Sequence, residues 1–496
     1  MERESGGIAG KIIAAVFLLV SAAFVGLLVY TKLIPTVIVA VIGVVLLIFV
    51  ILVTVLTWNR HNIVRFIIGT VLAVLFSALF IVGGVYLYKT TSTLSKISGV
   101  ETEIAQVGIY VRAQDSADSL TATSGYKYGI ITDLDRENTD STLEEIKTEL
   151  GSEIQVQEYR GLTELIDGLR REETGAIILN QAYIPVLEEM DGYGDIGSQI
   201  REISVKHVET VIETSNKPSE DQNAGGQEQP DVETTGEIYT VYISGIDNRG
   251  GLVAKSRSDV NIIAVANTKT RQLLLVSTPR DYFVPLSISG GVPDKLTHAG
   301  IYGISVSMDT LGMLYGIDIN NYFKINFGGF INIIDALGGI TVESDYDFST
   351  SGFHYNKGSN YVNGEQALAF ARERYAFPEG DRQRGKNQMA VIQGVINKAL
   401  SPELLTNYSS ILSSLQGSFE TNISYEEIAR LLQQQLTEGG AWNIVSYSAN
   451  GTGDKQIPYS MSQPAYVMVP DYNTVDTAKE MIQQVKNGQT ITQPQQ

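Results

Sequence analysis

The stretch IYTVYISGIDNRGGLVAKSRSDVNIIAVANTKTRQLLLVSTPRD, residues 238–281, decides the architecture of the larger part of this chain. Three apolar, β-branched runs, Thr240–Ile246, Val260–Ala266 and Gln272–Val276, read as strands, the last ending at the turn signal Thr278-Pro279. Downstream, Tyr322–Ile325 is strand-like and leads into a helix, Phe330–Leu337, closed by Gly338-Gly339. Gln388–Leu400 places Met389, Ile392, Val395, Ile396 and Ala399 on one helical stripe. Strands mixed with amphipathic helices predict an α/β domain, an α-β-α sandwich, over residues 237–487.

Upstream, residues 100–214 repeat the alternation on a smaller scale. Val107–Val111, Tyr128–Thr132, Ile154–Tyr159 and Ala176–Asn180 read as strands, and Leu143–Leu150 and Leu162–Arg170 as helices. The pattern predicts a small α/β accessory domain with a parallel sheet. It holds no nucleophile, phosphate loop or metal spacing, so a spacer or a partner-contacting module is expected. Residues 215–236 are polar and carry two prolines, the composition of a flexible linker. Residues 488–496 read as a disordered tail.

Residues 12–30, 36–57 and 66–88 contain no charged side chain, and each is long enough as a helix to cross a hydrocarbon core of about 30 Å. Three runs in succession argue for transmembrane helices rather than a signal peptide. Arg3 and Lys11 precede the first span and Arg60 and Arg65 lie between the second and third, against Lys32 alone in the first loop. The positive-inside rule keeps residues 1–11 cytoplasmic and puts everything after Lys89 outside.

The 496 residues carry a formal charge of −19 and no cysteine. Disulfide scaffolds and cysteine-ligated metal sites are excluded, and an acidic chain disfavours nucleic acid as a partner. Met1–Tyr88 nets +3, leaving −22 on the remaining 408 residues. Within that acidic exterior AFARERYAFPEGDRQRGKNQ, residues 369–388, is a basic island with Arg372, Arg374, Arg382, Arg384 and Lys386. A strand would point Arg372 and Arg374 to one side, and a helix start would put Arg384 and Gln388 on one face with Asp381 in its first turn. Arginines at a helix N-terminus make a receptor for phosphate or pyrophosphate; balanced by Glu373, Glu379 and Asp381, they also suit a solvated face.

Asp247 leaves one strand and Asp259 enters the next. Each alone is an ordinary turn former; together with phosphate oxygens and waters they could hold Mg²⁺, or Mn²⁺ in its place. Arg257 lies beside them, and Arg280 follows Pro279 at a strand end, where open α/β sheets bind ligands. Lys295 and His298 are polar candidates nearby in sequence. There is no P-loop, no GxSxG elbow and, with four histidines, little to ligate zinc.

The ordered motifs SGIDNRG, SRSDVNIIAVANTKTRQLLLVSTPRD, DKLTHAG, NYFKINFGGFINIIDALGGI, GEQALAFARERY and GDRQRGKNQ closely resemble the LytR-CpsA-Psr family of cell-wall glycopolymer ligases. The three spans and the accessory module resemble its capsular-polysaccharide, CpsA-type branch. The resemblance implies an extracytoplasmic phosphotransferase moving a glycan with its linking phosphate from polyprenyl pyrophosphate to peptidoglycan. It implies Mg²⁺ on Asp247 and Asp259, phosphate binding by Arg257, Arg280, Arg372, Arg374, Arg384 and Gln388, and support from Asp381, Lys295 and Lys386. Many members read Arg-x-x-Arg-Gln where this chain has Arg384-Gly385-Lys386-Asn387-Gln388, so Lys386 is expected to substitute for the missing charge. The competing readings are a scaffold for capsule assembly with other capsule proteins, a polyprenyl-pyrophosphate hydrolase, and a transcriptional regulator, which the expected topology disfavours.

Overall fold

A computed structural model of the chain describes residues 2–58, 63–100, 102–212, 238–246, 255–399, 401 and 419–494. Its contacts separate into two compact units. The expected linker and Asp247 lie outside the described residues.

The first unit is built on three helices, α1 (Glu2–Thr31), α2 (Thr36–Thr57) and α3 (Ile63–Ile97). Their segments Ala9–Thr31, Thr36–Thr57 and Ile63–Lys89 are long and apolar enough to cross a membrane. Phe17, Leu46, Val53, Ala73 and Phe80 pack between them, with Phe24 and Phe80 stacked at 5.2 Å and Phe49 against Phe76 at 4.7 Å. A further amphipathic helix, Tyr425–Glu438, belongs to this unit and starts on the cap Ser424, whose hydroxyl accepts from the Glu427 N–H at 3.2 Å. Its Tyr425 hydroxyl donates to the Thr31 carbonyl and its Gln433 amide to that of Lys32, so it sits at the turn between α1 and α2.

The second unit contains two large sheets and, among the described residues, four two-stranded ones. The accessory sheet comprises β1 (Thr102–Arg112), β2 (Lys127–Ile131), β3 (Gln155–Tyr159), β4 (Ala176–Asn180) and β5 (Ile200–Val211), in the order β3-β2-β4-β1-β5. Its helices α4 (Arg136–Leu150) and α5 (Leu162–Arg170) cover it, and α6 (Ile184–Glu188) follows β4. The expected parallel sheet is corrected to a mixed one: β2 runs parallel to β3 and β4, but β1 is antiparallel to both β4 and β5. Strand direction is set by the connections, which periodicity does not reveal: β1 runs against β4, and it also pairs with β5, whose sequence IREISVKHVETV mixes apolar with charged residues and so hides from a search for buried runs.

The larger sheet carries β6 (Ile238–Ile246), β7 (Val260–Asn267), β8 (Gln272–Ser277), β9 (Asn321–Asn326), β10 (Phe419–Thr421) and β11 (Asn443–Ser448), in the order β10-β9-β6-β7-β8-β11. Alternation along the strands gives each face its own core. Ile263, Val265, Leu274 and Val276 pack with Met308 and Leu311 of α7 (Ile304–Tyr315) and with Val475, Ala478 and Ile482 of the helix Tyr472–Lys486. Ile262, Ala264, Leu273 and Leu275 face the other way, toward Met389, Ile392 and Ile396. Those three lie on α9 (Asp381–Ala399), which follows α8 (Gly364–Arg372). The α-β-α sandwich expected from the strand pattern is therefore the observed fold.

The expected disordered tail is corrected in part. Ile491 is buried, its N–H donating at 2.7 Å to the side chain of Gln272, and the Gln493 amide donates to the Ser446 carbonyl at 2.7 Å. Gln272 and Asn443 at the strand ends offer amides that the polar tail can satisfy, which composition alone does not reveal.

Candidate active site

The site forms where β7 begins and β8 ends. Ser258, almost fully buried, hydrogen-bonds the hydroxyls of Tyr242 at 2.8 Å and Ser244 at 2.9 Å, which pins the SRSD loop to β6. The next residue, Asp259, donates its N–H to the Gly245 carbonyl at 2.9 Å and so starts β7 with its carboxylate at the sheet edge. Beyond β8, the Thr278 hydroxyl meets that of Tyr315 at 2.8 Å, and Pro279 turns the chain. The Arg280 carbonyl is held by the Thr297 N–H at 2.8 Å, leaving its guanidinium to reach Asp259 Oδ1 at 2.7 Å. Their side chains are 23% and 16% exposed, covered enough for the pair to be held but open on one side.

The first turns of α9 close the cleft. Asp259, Ser277, Thr278, Pro279, Arg280 and Ser448 line it from the sheet, and Arg382, Arg384, Gly385 and Gln388 from the helix. Arg384 and Gln388, four residues apart, share the inward face as their spacing predicted. Gly385 makes the close approach possible: a Cβ there would lie 3.2 Å from Ser277 Oγ. The Ser448 hydroxyl, buried against this cleft, has no hydrogen-bond partner among the described residues. Guanidinium groups, an unsatisfied hydroxyl and the N-terminal turn of a helix together form a receptor for a phosphoryl oxygen.

Other expected residues stand elsewhere. The strand expected for Arg372 and Arg374 is corrected: Arg372 is the last residue of α8, and Arg374 lies in the turn before α9. The Asn363–Gln366 capping box starts that helix and carries it through the apolar Leu368–Phe370 run. Arg372 lies over the Phe327 ring at 4.7 Å, and Arg374 over that of the well-exposed Tyr375 at 4.7 Å. Asp381 is the first residue of α9, and Lys386 is half-buried on it. Asn387 is no outward substitute for a charge: it is buried, donating its amide to the Phe370 carbonyl at 3.1 Å and accepting from Gln383 at 3.0 Å. Arg257 pairs with Glu189, and Lys295, also bound to Glu189 at 2.7 Å, is almost fully buried. His298 is structural, its Nδ1 within 2.7 Å of Asp294 and 2.9 Å of the Ser460 hydroxyl.

Glu373 organises the turn that carries Arg374. Its carboxylate accepts the N–H groups of Arg374 at 2.9 Å, Tyr375 at 2.6 Å and Ala376 at 2.9 Å. Burial alone would raise its pKa, but the Thr350 side chain and these three N–H donors hold it below the ordinary 4.5. A depressed folded-state pKa gives stability that is present above the unfolded value and lost as pH falls through the folded one. The melting temperature of Glu373→Gln should therefore fall below wild type at neutral pH and converge on it as the pH drops below 4.5. Thermal scans across that range check it.

The described residues contain no group of three or more metal-binding side chains. Asp259 supplies one hard oxygen donor facing the cleft, which suits Mg²⁺, an ion that takes few protein carboxylates and keeps water or phosphate oxygens.

The LytR_cpsA_psr family model matches residues 203–482. A polyisoprenyl-teichoic acid–peptidoglycan teichoic acid transferase, TagU, of Enterococcus faecalis is 35% identical over 222 residues, 44% of this chain and 72% of that protein. The Bacillus cereus protein of the same name is 32% identical over 223 residues, 45% and 72% of the two chains. The crystal structure of B. subtilis TagU aligns with 52% of this chain and 100% of its own at 27% identity, with a TM-score of 0.40. With the family model spanning more than half of its length, the chain belongs to the LytR_cpsA_psr family.

Proposed function

We propose that this protein is a membrane-anchored, extracytoplasmic phosphotransferase that moves an anionic glycan, with its linking phosphate, from polyprenyl pyrophosphate to peptidoglycan. The observation that carries the reading is the convergence of Arg280, Arg384, Gln388 and Asp259 on one strand-end cleft. A peptidoglycan hydroxyl would attack the phosphorus bearing the glycan; the bond to the second phosphate breaks, and polyprenyl phosphate departs. Arg280 and Arg384 would hold the phosphate oxygens, while Arg257, paired with Glu189, and Arg372 and Arg374, over the Phe327 and Tyr375 rings, would contribute only to the wider positive field. Mg²⁺ held by Asp259 and Asp247, with Mn²⁺ as a substitute, would neutralise charge on the pyrophosphate.

Two further features support the reading. On the α9 face of the sheet Ile243 lies opposite Ile262 in β7 and Phe323 in β9, and Val241, Ile243 and Phe323 are only half-buried. An incompletely covered apolar face beside a phosphate receptor suits a polyprenyl chain. Three spans, an odd number, would put the residues after α3 on the side of the membrane opposite residues 1–11. With the basic loops inside, that side is the exterior. The related transferases act on teichoic acid by name; the three spans favour a capsular glycan here.

Full-length protein in vesicles, given Mg²⁺, lipid-linked glycan and peptidoglycan oligomers, should couple the two and release polyprenyl phosphate. Donor binding with neither transfer nor cleavage would instead identify a scaffold, and cleavage to free glycan phosphate a hydrolase.

A further inference from the structure

The accessory module reaches into the phosphate site through one carboxylate. Glu189, just after α6, sends Oε1 to Arg257 and Oε2 to the Lys295 ammonium at 2.7 Å. Lys295 is 5% exposed, so its charge needs a partner. Its next anion is Asp281 at 3.8 Å, which lies 3.5 Å from Arg280 Nε, and Arg280 holds Asp259 at 2.7 Å. Alternating charges therefore run from Glu189 through Lys295, Asp281 and Arg280 to Asp259. The backbone follows the same path: Thr297, two residues after Lys295, donates to the Arg280 carbonyl and accepts from the Ser258 N–H at 3.1 Å. Burial would raise the Glu189 pKa, but the Lys295 ammonium and the Arg257 guanidinium outweigh it and keep the carboxylate ionised.

We propose that Glu189 is a positioning residue through which the accessory module sets the geometry of the Arg280–Asp259 pair and of Arg257. The proposal rests on the pyrophosphate-binding reading of that cleft. Without Glu189, the nearest carboxylate left to the buried Lys295 charge among the described residues is Asp281, which is drawn from Arg280, while Arg257 loses its tether. The modules would stay docked, because other contacts join them. Ile301, Met461 and Ala465 share a core with Tyr183, Val186 and Leu187. Thr163 meets Ser462 at 2.9 Å, and the Asp191 N–H reaches Gln463 at 3.0 Å. The module then is more than a spacer: it completes the charge balance of the site.

The test uses full-length protein in detergent, with farnesyl pyrophosphate and Mg²⁺ in calorimetry and a parallel melting curve. Glu189→Gln, close in shape but uncharged, should lower the melting temperature, because it leaves Lys295 under-paired, and should weaken binding about 10- to 100-fold at temperatures where both proteins are fully folded. Glu189→Asp should recover part of the loss, and the neighbouring Glu188→Gln should bind as wild type. Adding Lys295→Met to Glu189→Gln should cost less than the two losses combined. Wild-type affinity in Glu189→Gln overturns the proposal, as does a loss that only follows falling melting temperatures, or a wild-type chain that binds no farnesyl pyrophosphate. Affinity lost in Glu189→Gln without glycan transfer by wild type would uphold the positioning role and sink the phosphotransferase reading. Transfer by wild type, with an unchanged donor KM in Glu189→Gln, would do the reverse.

Discussion

Arg384→Ala should lower glycan transfer by about 10²- to 10³-fold while leaving the fold intact, an effect of the size seen when a preorganised charge donor to a transition state is removed. Arg384 enters the cleft from the first turns of α9, where helix N–H groups already favour an anion. Its half-buried side chain lines the cleft, so truncation withdraws a guanidinium from the phosphates. Arg384→Lys should recover only part of the rate, because an ammonium cannot reproduce the bidentate fork. Arg280→Ala should be at least as damaging, for a second reason: Asp259 would lose the 2.7 Å partner that orients its carboxylate toward the cleft. The split between constants is informative. If the arginines bind donor and transition state alike, KM rises alone; if they meet charge that develops as the phosphate bond breaks, kcat falls with kcat/KM. The second outcome is expected for Arg384. Transfer that persists unchanged in both alanine variants would remove this cleft from the reaction.

Much of this site was legible because it depends on strand ends and helical spacing. Val260 starts β7 and the Thr278-Pro279 turn ends β8, its antiparallel neighbour, so Asp259 and Arg280 fall at one sheet edge. Arg384 and Gln388 share a helical face for the same reason. What stayed hidden depends on distant partners. Arg372 was assigned to a strand because its flanking residues are apolar; the capping box at Asn363 and Gln366, two side chains trading backbone hydrogen bonds, decides for a helix. Asn387 looked like a lost phosphate contact, yet its amide serves the Phe370 carbonyl and ties α9 to α8. Glu189 and Ser448 carry no motif. Their importance comes from sitting 106 residues from Lys295 in one case, and at the end of a strand supplied by the far C-terminal part in the other. The accessory helices and four of its strands follow local periodicity, whereas β5 shows only half an apolar face and earns its place by pairing along the full length of β1.

The proposed dependence on a divalent cation turns on the sign of one charge. Among the described residues lining the cleft Asp259 is the one carboxylate, and a carboxylate beside a pyrophosphate is repulsive unless a cation lies between them. Asp259→Asn should therefore act in opposite directions under two conditions. In a chelator, where the carboxylate can only repel, the variant should bind farnesyl pyrophosphate at least as tightly as wild type. In Mg²⁺ or Mn²⁺ wild type should bind more tightly, and the variant should lose about 10³-fold in transfer, the scale of several kcal/mol of charge stabilisation from a bound metal. A merely structural aspartate, whose task is to orient Arg280, would weaken binding in both conditions. Calorimetry with and without the cation, on the same two proteins, distinguishes the two roles. Equal loss in chelator and in Mg²⁺ would show that Asp259 holds the arginine and no ion.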